Sequence, residues 1–283
     1  MKEWYQEIEV VQISSSIYRI TNPTREHMFL VLGTERAALI DSGGGYGDLW
    51  GIIRSITELP VTLYHTHVHP DHVGGAGFFK EAWIPAGDRS LTEHAVSWKA
   101  RRGFMVMVRP DLAEAFDKVP YVELPKDFVW HEILDGDRIS LGGVDLRVIR
   151  TPGHTAGSVC FLHEQEKVLF VGDLLGRKTT LLAKGGTSLV EFMNTLRNLQ
   201  EMLPGISWIY NSHNEGVVPK EAVWNLLSLG IDVLNGKDDM IETTFNGKSG
   251  RMAKKMRGPF EREDGIFGNL CYDPEKLYAG QDS

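Results

Sequence analysis

Short apolar runs alternate with polar, glycine-containing turns along most of the chain, and this pattern predicts a mixed α/β structure. The shorter runs are rich in Val, Ile and aromatic residues and are broken by Ser, Gly or Asn-Pro, as β-strands are. The longer segments place apolar residues at helical spacing. We predict strands within residues 7–13, 16–20, 27–33, 37–41, 61–67, 138–155, 158–164, 167–173 and 207–213, and helices within 49–57, 91–116, 189–203 and 219–234. This alternation is typical of a layered α/β domain.

The organisation predicted is one domain over residues 1–283, because no linker-like change of composition interrupts the alternation. Residues near 88–120 are expected to form a helical insertion that is broken at Pro110. Residues near 236–283 are Gly-rich, and we predict an irregular C-terminal extension that ends in a strand at 265–272.

The overall charge argues against a nucleic-acid partner. The chain has a net charge of −8, whereas phosphate binding needs a concentrated basic surface. The basic stretch 248–257 is expected to be a solvated, mobile loop, as most charge runs are. Apolar residues make up 42% of the chain, which is enough for a full core.

Cysteine usage and the N-terminus lead to an expected cellular location. The two cysteines, Cys160 and Cys271, are far apart and form no CxxC pair, so reduced thiols are expected rather than a disulfide framework. The N-terminal residues do not have the pattern of a secretory signal, and no run approaches the ~20 apolar residues of a membrane span. We therefore expect a cytoplasmic protein with no membrane partner.

The candidate chemistry begins in the segment 67–72, where three histidines and an aspartate fall within six residues. His67 and His69 face the same way on the end of an extended strand, so they can bind one cation together. Pro70 then turns the chain, and Asp71 and His72 can reach a second cation from the start of a helix. A lone histidine is more often a core residue, but this spacing favours metal ligands. Imidazole and carboxylate suit Zn²⁺, and Fe or Mn can also be held.

Three further ligand-type residues lie at the ends of predicted strands. His154 follows the strand DLRVIR, Asp173 ends KVLFVGD, and His213 ends SWIYNSH. The carboxyl ends of strands are where α/β sheets place their sites. A loop or capping role explains each residue equally well by itself, but together with the cluster they complete two coordination spheres.

Four motifs, taken in chain order, resemble those of the metallo-β-lactamase superfamily. They are DSG at 41–43, THVHPDHVGG at 66–75, TPGHTAGS at 151–158 and FVGD at 170–173. The resemblance implies an α/β fold of this type, a four-layer αββα sandwich with metals at one edge between two facing sheets.

The resemblance also implies a set of ligands. His67, His69 and His154 would hold one metal, and Asp71, His72 and His213 would hold the other. Asp173 would bridge the two. Asp41 would support the ligand imidazoles rather than bind metal, which is a common role for a carboxylate behind a metal site. Asp71 and Asp173 are the two carboxylates expected to take a direct part in catalysis.

The implied activity is hydrolysis of a small ester, thioester or lactone. Two divalent metals, Zn by preference and Fe or Mn otherwise, lower the pKa of a shared water and supply hydroxide at neutral pH. Asp173 makes antibiotic hydrolysis a poor match, because one kind of β-lactamase has cysteine there. The ligand set is that of the glyoxalase II-like thioesterases, lactonases and phosphodiesterases. Gly176 stands where many lactonases of the superfamily have tyrosine, which weakens the lactonase assignment.

Two alternatives stay open at this point: a persulfide dioxygenase with a single iron, and a phosphodiesterase. The expected partner is a small-molecule substrate, and a homodimer is left open.

Arg177 and Lys178 closely follow Asp173 and could meet an anionic group, although solvated surface charges are the commoner outcome. Trp98, Phe104, Met105 and Met107 could form a pocket wall or simply pack as helical core residues.

Overall fold

The computed structural model describes residues 4–213, 216–278 and 280. The chain divides into two compact units. Unit 1 comprises Met1–Val148, His163–Gln165 and Ser212–Asn214, and unit 2 comprises Ile149–Leu162, Glu166–Asn211 and Glu215–Ser283. The single-domain organisation stays a prediction, as does the extension over 236–283, of which residues 279 and 281–283 lie outside the described part.

Unit 1 contains a seven-stranded sheet whose strands follow one another in chain order. Its strands are β1 Glu9–Gln12, β2 Ile17–Thr21, β3 His27–Leu32, β4 Ala37–Ile40, β5 Val61–Tyr64, β6 Glu81–Pro85 and β7 Val129–Ile133. Strands β1 to β4 pair antiparallel, and β4 to β7 pair parallel. Ile40 lies opposite Tyr64 in the register of β4 and β5. The residues that follow these two strands therefore emerge at the same edge of the sheet.

The helices of unit 1 are short. They are α1 Leu49–Ile56, α2 Pro70–Val73, α3 Thr92–Ala95, α4 Trp98–Val108 and α5 Ala113–Phe116. Two of them, α1 and α4, begin at side-chain caps. Asp48 caps α1 by accepting a hydrogen bond from the Gly51 amide at 2.9 Å. Ser97 caps α4 in the same way, through the Ala100 amide. An antiparallel pair, β8 Arg138–Ser140 and β9 Asp145–Arg150, completes the regular structure of the unit.

Unit 2 contains the remaining strands and two long helices. They are β10 Val159–His163, β11 Val168–Phe170, β12 Thr179–Thr180, α6 Leu189–Met202, β13 Trp208–Tyr210, α7 Glu221–Leu234, β14 Ile241–Phe245, β15 Lys248–Met252 and β16 Leu270–Tyr272. The last two residues of β9 and nearly all of β10 belong to this unit. Strands β13, β11 and β10 are neighbours in that order, and a second sheet has the order β12-β16-β15-β14.

Each unit has its own apolar core. In unit 1, Leu30, Leu39 and Leu63 of the sheet pack with Leu49 and Ile53 of α1. The core of unit 2 is built largely from the facing sides of α6 and α7, on which Phe192, Leu196, Leu199, Val223 and Leu226 are buried. A Cβ at Gly230 would lie 2.8 Å from Met193 Sδ, so the glycine lets the two helices approach closely.

The predicted elements up to residue 234 are largely confirmed, but the C-terminal prediction is wrong in part. Residues 241–252 form the paired strands β14 and β15 instead of an irregular segment. The basic stretch is accordingly not a solvated loop throughout, because its first half is β15. Its charges face acids: Lys248 lies 3.0 Å from Asp273, and Lys254 lies 3.1 Å from Asp239. Strands β6, β7 and β12 also went unpredicted.

No helix in the described part of the chain combines the length and the apolar character needed to cross a membrane.

Replacing Leu226 with Ala is expected to lower the free energy of unfolding by about 2–5 kcal/mol, because Leu226 is fully buried between α6 and α7 and its loss leaves a cavity. Denaturant unfolding followed by circular dichroism measures the change. Ser228→Ala on the same helix is the control, since Ser228 is small and exposed and its change should shift stability by roughly 0.5 kcal/mol or less. Equal losses in the two variants would contradict this packing.

Both cysteines are expected to react with a thiol reagent only after unfolding. Cys160 and Cys271 are buried, and burial raises the pKa of the Cys160 thiol to about 12, with the nearby Thr151 hydroxyl opposing the shift. The reactive thiolate is therefore scarce in the native protein. Titration with a chromogenic thiol reagent, with and without guanidinium, gives the comparison. Rapid modification of the native protein would disprove the burial of these thiols.

Candidate metal centre

Asp41 connects three separate segments of unit 1. It follows β4 directly, and its φ of 62° lies in the left-handed region that aspartate tolerates better than most residues. Its Oδ2 accepts hydrogen bonds from Thr66 Oγ1 at 2.9 Å, His72 Nδ1 at 2.9 Å and Ser212 Oγ at 3.2 Å. Its Oδ1 accepts the Thr66 amide at 2.8 Å. Asp41 is buried, so these bonds are protected from water and fix the segments that carry the candidate ligands.

The tautomer of His67 follows from this network. The single hydroxyl proton of Thr66 is donated to the Asp41 carboxylate. Thr66 Oγ1 must therefore accept from His67 Nδ1, which lies 3.0 Å away. The neutral His67 ring then has its lone pair on Nε2, the nitrogen that a metal ion requires.

His72 is oriented in the same way. Its Nδ1 donates to Asp41 Oδ2, which places the lone pair of the neutral ring on Nε2. Nε2 lies 3.3 Å from Asp71 Oδ2. In the neutral ring a lone pair then faces a carboxylate oxygen, which is repulsive unless a proton or a cation lies between them. The His72 and Asp71 pair thus fits a cation.

Helix α2 brings these donors close to the sheet. Pro70 occupies its first turn, where the missing amide proton costs nothing. A Cβ at Gly74 would lie 2.5 Å from the backbone of Gly44, and one at Gly75 would lie 2.3 Å from the Ser42 carbonyl oxygen. The two glycines therefore allow α2 to pack directly on the turn that follows Asp41.

His213 joins the same group of donors. The residue forms an antiparallel bridge with Glu26, and the His27 amide donates to the Ser212 carbonyl at 2.8 Å. His213 Nε2 lies 3.2 Å from Asp71 Oδ2. The ligand atoms of Asp71, His72 and His213 lie within 4.8 Å of one another, as do those of His67 and His69.

The electrostatics of this group favour an ionised carboxylate among the imidazoles. Burial raises the pKa of Asp71, but when the imidazoles carry a proton toward it, attraction to His72 and hydrogen bonds from His213 and His72 outweigh burial, and the pKa lies well below its usual range. Glu26 behaves in the opposite way. Burial and the neighbouring Asp71 charge raise its pKa to about 7, and the hydrogen bond from Thr24 only partly offsets them. Burial lowers the pKa of His65 to about 4, so this ring is neutral at pH 7.

Unit 2 contributes a pair of donors. His154 Nδ1 donates to the Thr180 carbonyl at 2.8 Å, which again leaves the lone pair of the neutral ring on Nε2. That nitrogen lies 3.5 Å from Asp173 Oδ2. A Cβ at Gly153 would lie 2.7 Å from the Phe192 ring, so the glycine lets the His154 loop pack against α6. These two residues fit a metal site by the same criterion as those of unit 1.

Several supporting residues were not predicted from the sequence. Thr66 and Ser212 hydrogen-bond to Asp41, and the Thr180 carbonyl orients His154. Asp88 accepts the Val68 amide at 3.0 Å and so holds the loop between His67 and His69. Of these residues, Thr66 alone could have been predicted to support the site, because it lies between two histidines in the sequence. The others contact residues that are distant in the chain.

The residues suggested as substrate contacts lie in different environments. Arg177 lies over the Phe267 ring, with its guanidinium carbon 5.2 Å from the ring centroid, and Lys178 is exposed. Met105 is a core residue that packs with Tyr46 and Phe116. The Phe104 ring, by contrast, lies 6.3 Å from the His213 ring, centroid to centroid.

Comparison with known proteins finds relatives over the part of the chain that carries the donors. A family sequence model described as the metallo-beta-lactamase superfamily matches residues 21–213, which include every candidate donor. The chain is similar to an acyl-coenzyme A thioesterase, MBLAC2, of Gallus gallus, with 32% identity over 165 residues. The match covers 53% of this chain and 58% of that protein.

A second relative is the atrochrysone carboxyl ACP thioesterase AgnL7 of Paecilomyces divaricatus. It is 30% identical over 204 residues, which cover 68% of this chain and 54% of that protein. This chain therefore spans little more than half the length of either thioesterase.

The fold is shared with solved structures. A metallo-beta-lactamase family protein from Thermus thermophilus superposes with a TM-score of 0.54 and 21% identity, covering 81% of this chain and 80% of that one. At this identity the likeness concerns the fold alone, and it confirms the predicted α/β class of the metallo-β-lactamase type.

Replacing Asp41 with Asn is expected to weaken zinc binding by about 10- to 100-fold, because the amide cannot accept all the bonds that orient His72 and Thr66. Competition with a chromogenic chelator measures the affinity without any substrate. Asp48→Asn is the matched control, since Asp48 caps α1 and asparagine caps equally well. Unchanged affinity in the Asp41 variant would contradict the orienting role.

Proposed function

The chain belongs to the metallo-beta-lactamase superfamily, and from this premise we propose that it is a metal-dependent hydrolase that cleaves thioesters. The observation that carries the proposal is the common orientation of the donors. His67, His72 and His154 each have Nδ1 engaged in a hydrogen bond, which leaves Nε2 to bind metal. Hydrogen bonds that fix the ring orientation are typical of metal-binding histidines. Histidines that only pack in a core have no need to share one orientation.

We assign the donors to two divalent ions. His67, His69 and His154 would hold the first ion, and Asp71, His72 and His213 would hold the second. Asp173 would be shared by both. Three imidazoles on one ion, and two imidazoles with carboxylates on the other, form the kind of donor set that zinc accepts, with iron or manganese as alternatives.

The bound ions would supply a hydroxide nucleophile at neutral pH and polarise the carbonyl under attack. The residues of the chain hold the metal-binding imidazoles in their orientations. Asp41, through His72 and Thr66, keeps the imidazoles of unit 1 from rotating, and the Thr180 carbonyl does so for His154. Water adds across the C–S bond, so the products are a carboxylic acid and a thiol.

The choice of a thioester rests on two points. Two relatives that match this chain are named as thioesterases of acyl-coenzyme A and of a carrier protein. In addition, the sequence has Asp173 where one kind of β-lactamase has cysteine, so the donor set differs from that of enzymes that open β-lactam rings. The substrate we propose is a small-molecule thioester.

The purified protein is expected to contain about two equivalents of divalent metal and to hydrolyse simple acyl thioesters. Asp173→Ala should lower kcat by about 10²- to 10³-fold, since it removes a group that organises charge at the reacting centre. Elemental analysis and release of free thiol, followed with a chromogenic thiol reagent, test both points.

Asp127→Ala is the control, because Asp127 is exposed and lies outside the proposed site. A single iron together with oxygen uptake on a persulfide substrate would replace the hydrolase proposal with an oxidoreductase. Bound metal with no turnover of any thioester would reduce the chain to a binding module.

A further inference from the structure

Helix α4 has one side without charged residues. Ala100, Gly103, Phe104, Met107 and Val108 recur at spacings of three and four residues, so they share one side of the helix, which we call the α4 face. Lys99 and Arg102 project from the other side at 100° per residue. Met107 and Val108 are 41% and 36% exposed, and Phe104 is half-buried.

One edge of the α4 face lies at the candidate metal centre. The Phe104 ring lies 6.3 Å from the ring of His213, and His213 in turn lies 3.2 Å from Asp71. All three residues belong to unit 1. The face is thus continuous with the donors that would hold the reacting carbonyl.

The helix is fixed in place by Arg101, which borders the α4 face next to Val108, and by Met105, which is turned away from it. Arg101 is buried and donates from Nη1 to the Gly74 carbonyl and to the Val122 carbonyl, each at 2.9 Å. Gly74 ends α2, the helix that carries Asp71 and His72. Met105 is buried on the same helix. The position of the α4 face relative to the ligands is therefore set by direct hydrogen bonds.

There is room for a ligand over this face. A Cβ built at Gly103 meets no atom within 4 Å, and exposed apolar side chains gain free energy when an apolar group covers them. The occupant must also reach the metal centre. A hydrocarbon chain attached to the reacting carbonyl satisfies both conditions, because it is apolar, narrow and covalently placed at that end.

We propose that the α4 face is the binding surface for the acyl chain of the substrate, which makes the enzyme selective for thioesters of long, apolar acyl groups. This inference rests on the proposed thioesterase function. Each methylene that leaves water for the face adds up to about fourfold to kcat/KM. Phe104 is then a specificity-determining residue at the carbonyl end, and Met107 lies further along the chain.

The test compares acetyl, butyryl, octanoyl, dodecanoyl and palmitoyl thioesters of one thiol. For the wild type we expect kcat/KM to rise with chain length until the chain extends beyond α4. Met107→Lys should lower the ratio of dodecanoyl to acetyl kcat/KM by about tenfold or more, mainly through KM, because the lysine charge would have to lose its hydration beneath the chain. Met107→Leu should preserve the ratio, since it keeps the apolar volume.

Ile231→Lys on α7 is the matched control, because Ile231 is 46% exposed but belongs to unit 2 and to no proposed site. Its ratio should equal that of the wild type. A dodecyl thioether of the same thiol cannot be hydrolysed, and its Kd by calorimetry should rise at least about tenfold in Met107→Lys. Thermal unfolding confirms that each variant is folded.

The outcomes separate the two proposals. Turnover of acetyl thioester with no dependence on chain length overturns the acyl-chain surface and leaves the thioesterase in place. Binding of the thioether at the α4 face without turnover of any thioester overturns the thioesterase alone. If Met107→Lys changes the sedimentation of the protein but not the chain-length ratio, a second copy of the chain covers the face and the inference is wrong.

Discussion

The carboxylate of Asp41 is the interaction on which the rest of the centre depends. It lies at the end of β4, inside a turn that helix α2 touches, and accepts hydrogen bonds from Thr66, His72 and Ser212. These partners are 25, 31 and 171 residues away in the chain. A buried charge of this kind is stable only when its hydrogen bonds are made. Folding and ligand orientation are therefore one event, because the bonds that satisfy Asp41 also fix the imidazoles.

Local information was sufficient to predict much of this architecture. The run Ala37–Ile40 is buried throughout, as its composition indicates, and strands β4 and β5 end in register beside each other. Histidines spaced by two were expected to face one way on an extended strand. The strand β5 ends earlier, at Tyr64, and His67 and His69 bring their ligand atoms together from the segment that follows it. The strand-end positions of His154, Asp173 and His213 could be predicted for the same reason. Their assignment to particular ions came from the family resemblance and stays a prediction.

The unpredicted parts depend on contacts between distant residues. Strand β14 is mostly exposed and has three consecutive polar residues in its middle, so its sequence resembles a loop until β15 pairs with it. Nothing in the sequence around Ser212 indicates that its hydroxyl donates a hydrogen bond to Asp41. The bond from Arg101 to the Gly74 carbonyl spans 27 residues, and in the sequence Arg101 is one of several basic residues in an amphipathic helix. Tertiary context decided each of these cases.

The attachment of α4 through Arg101 has a consequence for how the protein can diverge. Arg101 and Met105 are buried and hold the helix in unit 1, whereas Gly103, Met107 and Val108 are exposed. Mutations at these three exposed positions can therefore accumulate without loss of the buried contacts, provided that Arg101 and Met105 stay. In the proposed enzyme, the residues that select the substrate and the residues that hold the helix occupy different positions of one helix. A lineage could thus exchange one substrate for another while its metal centre remained unchanged.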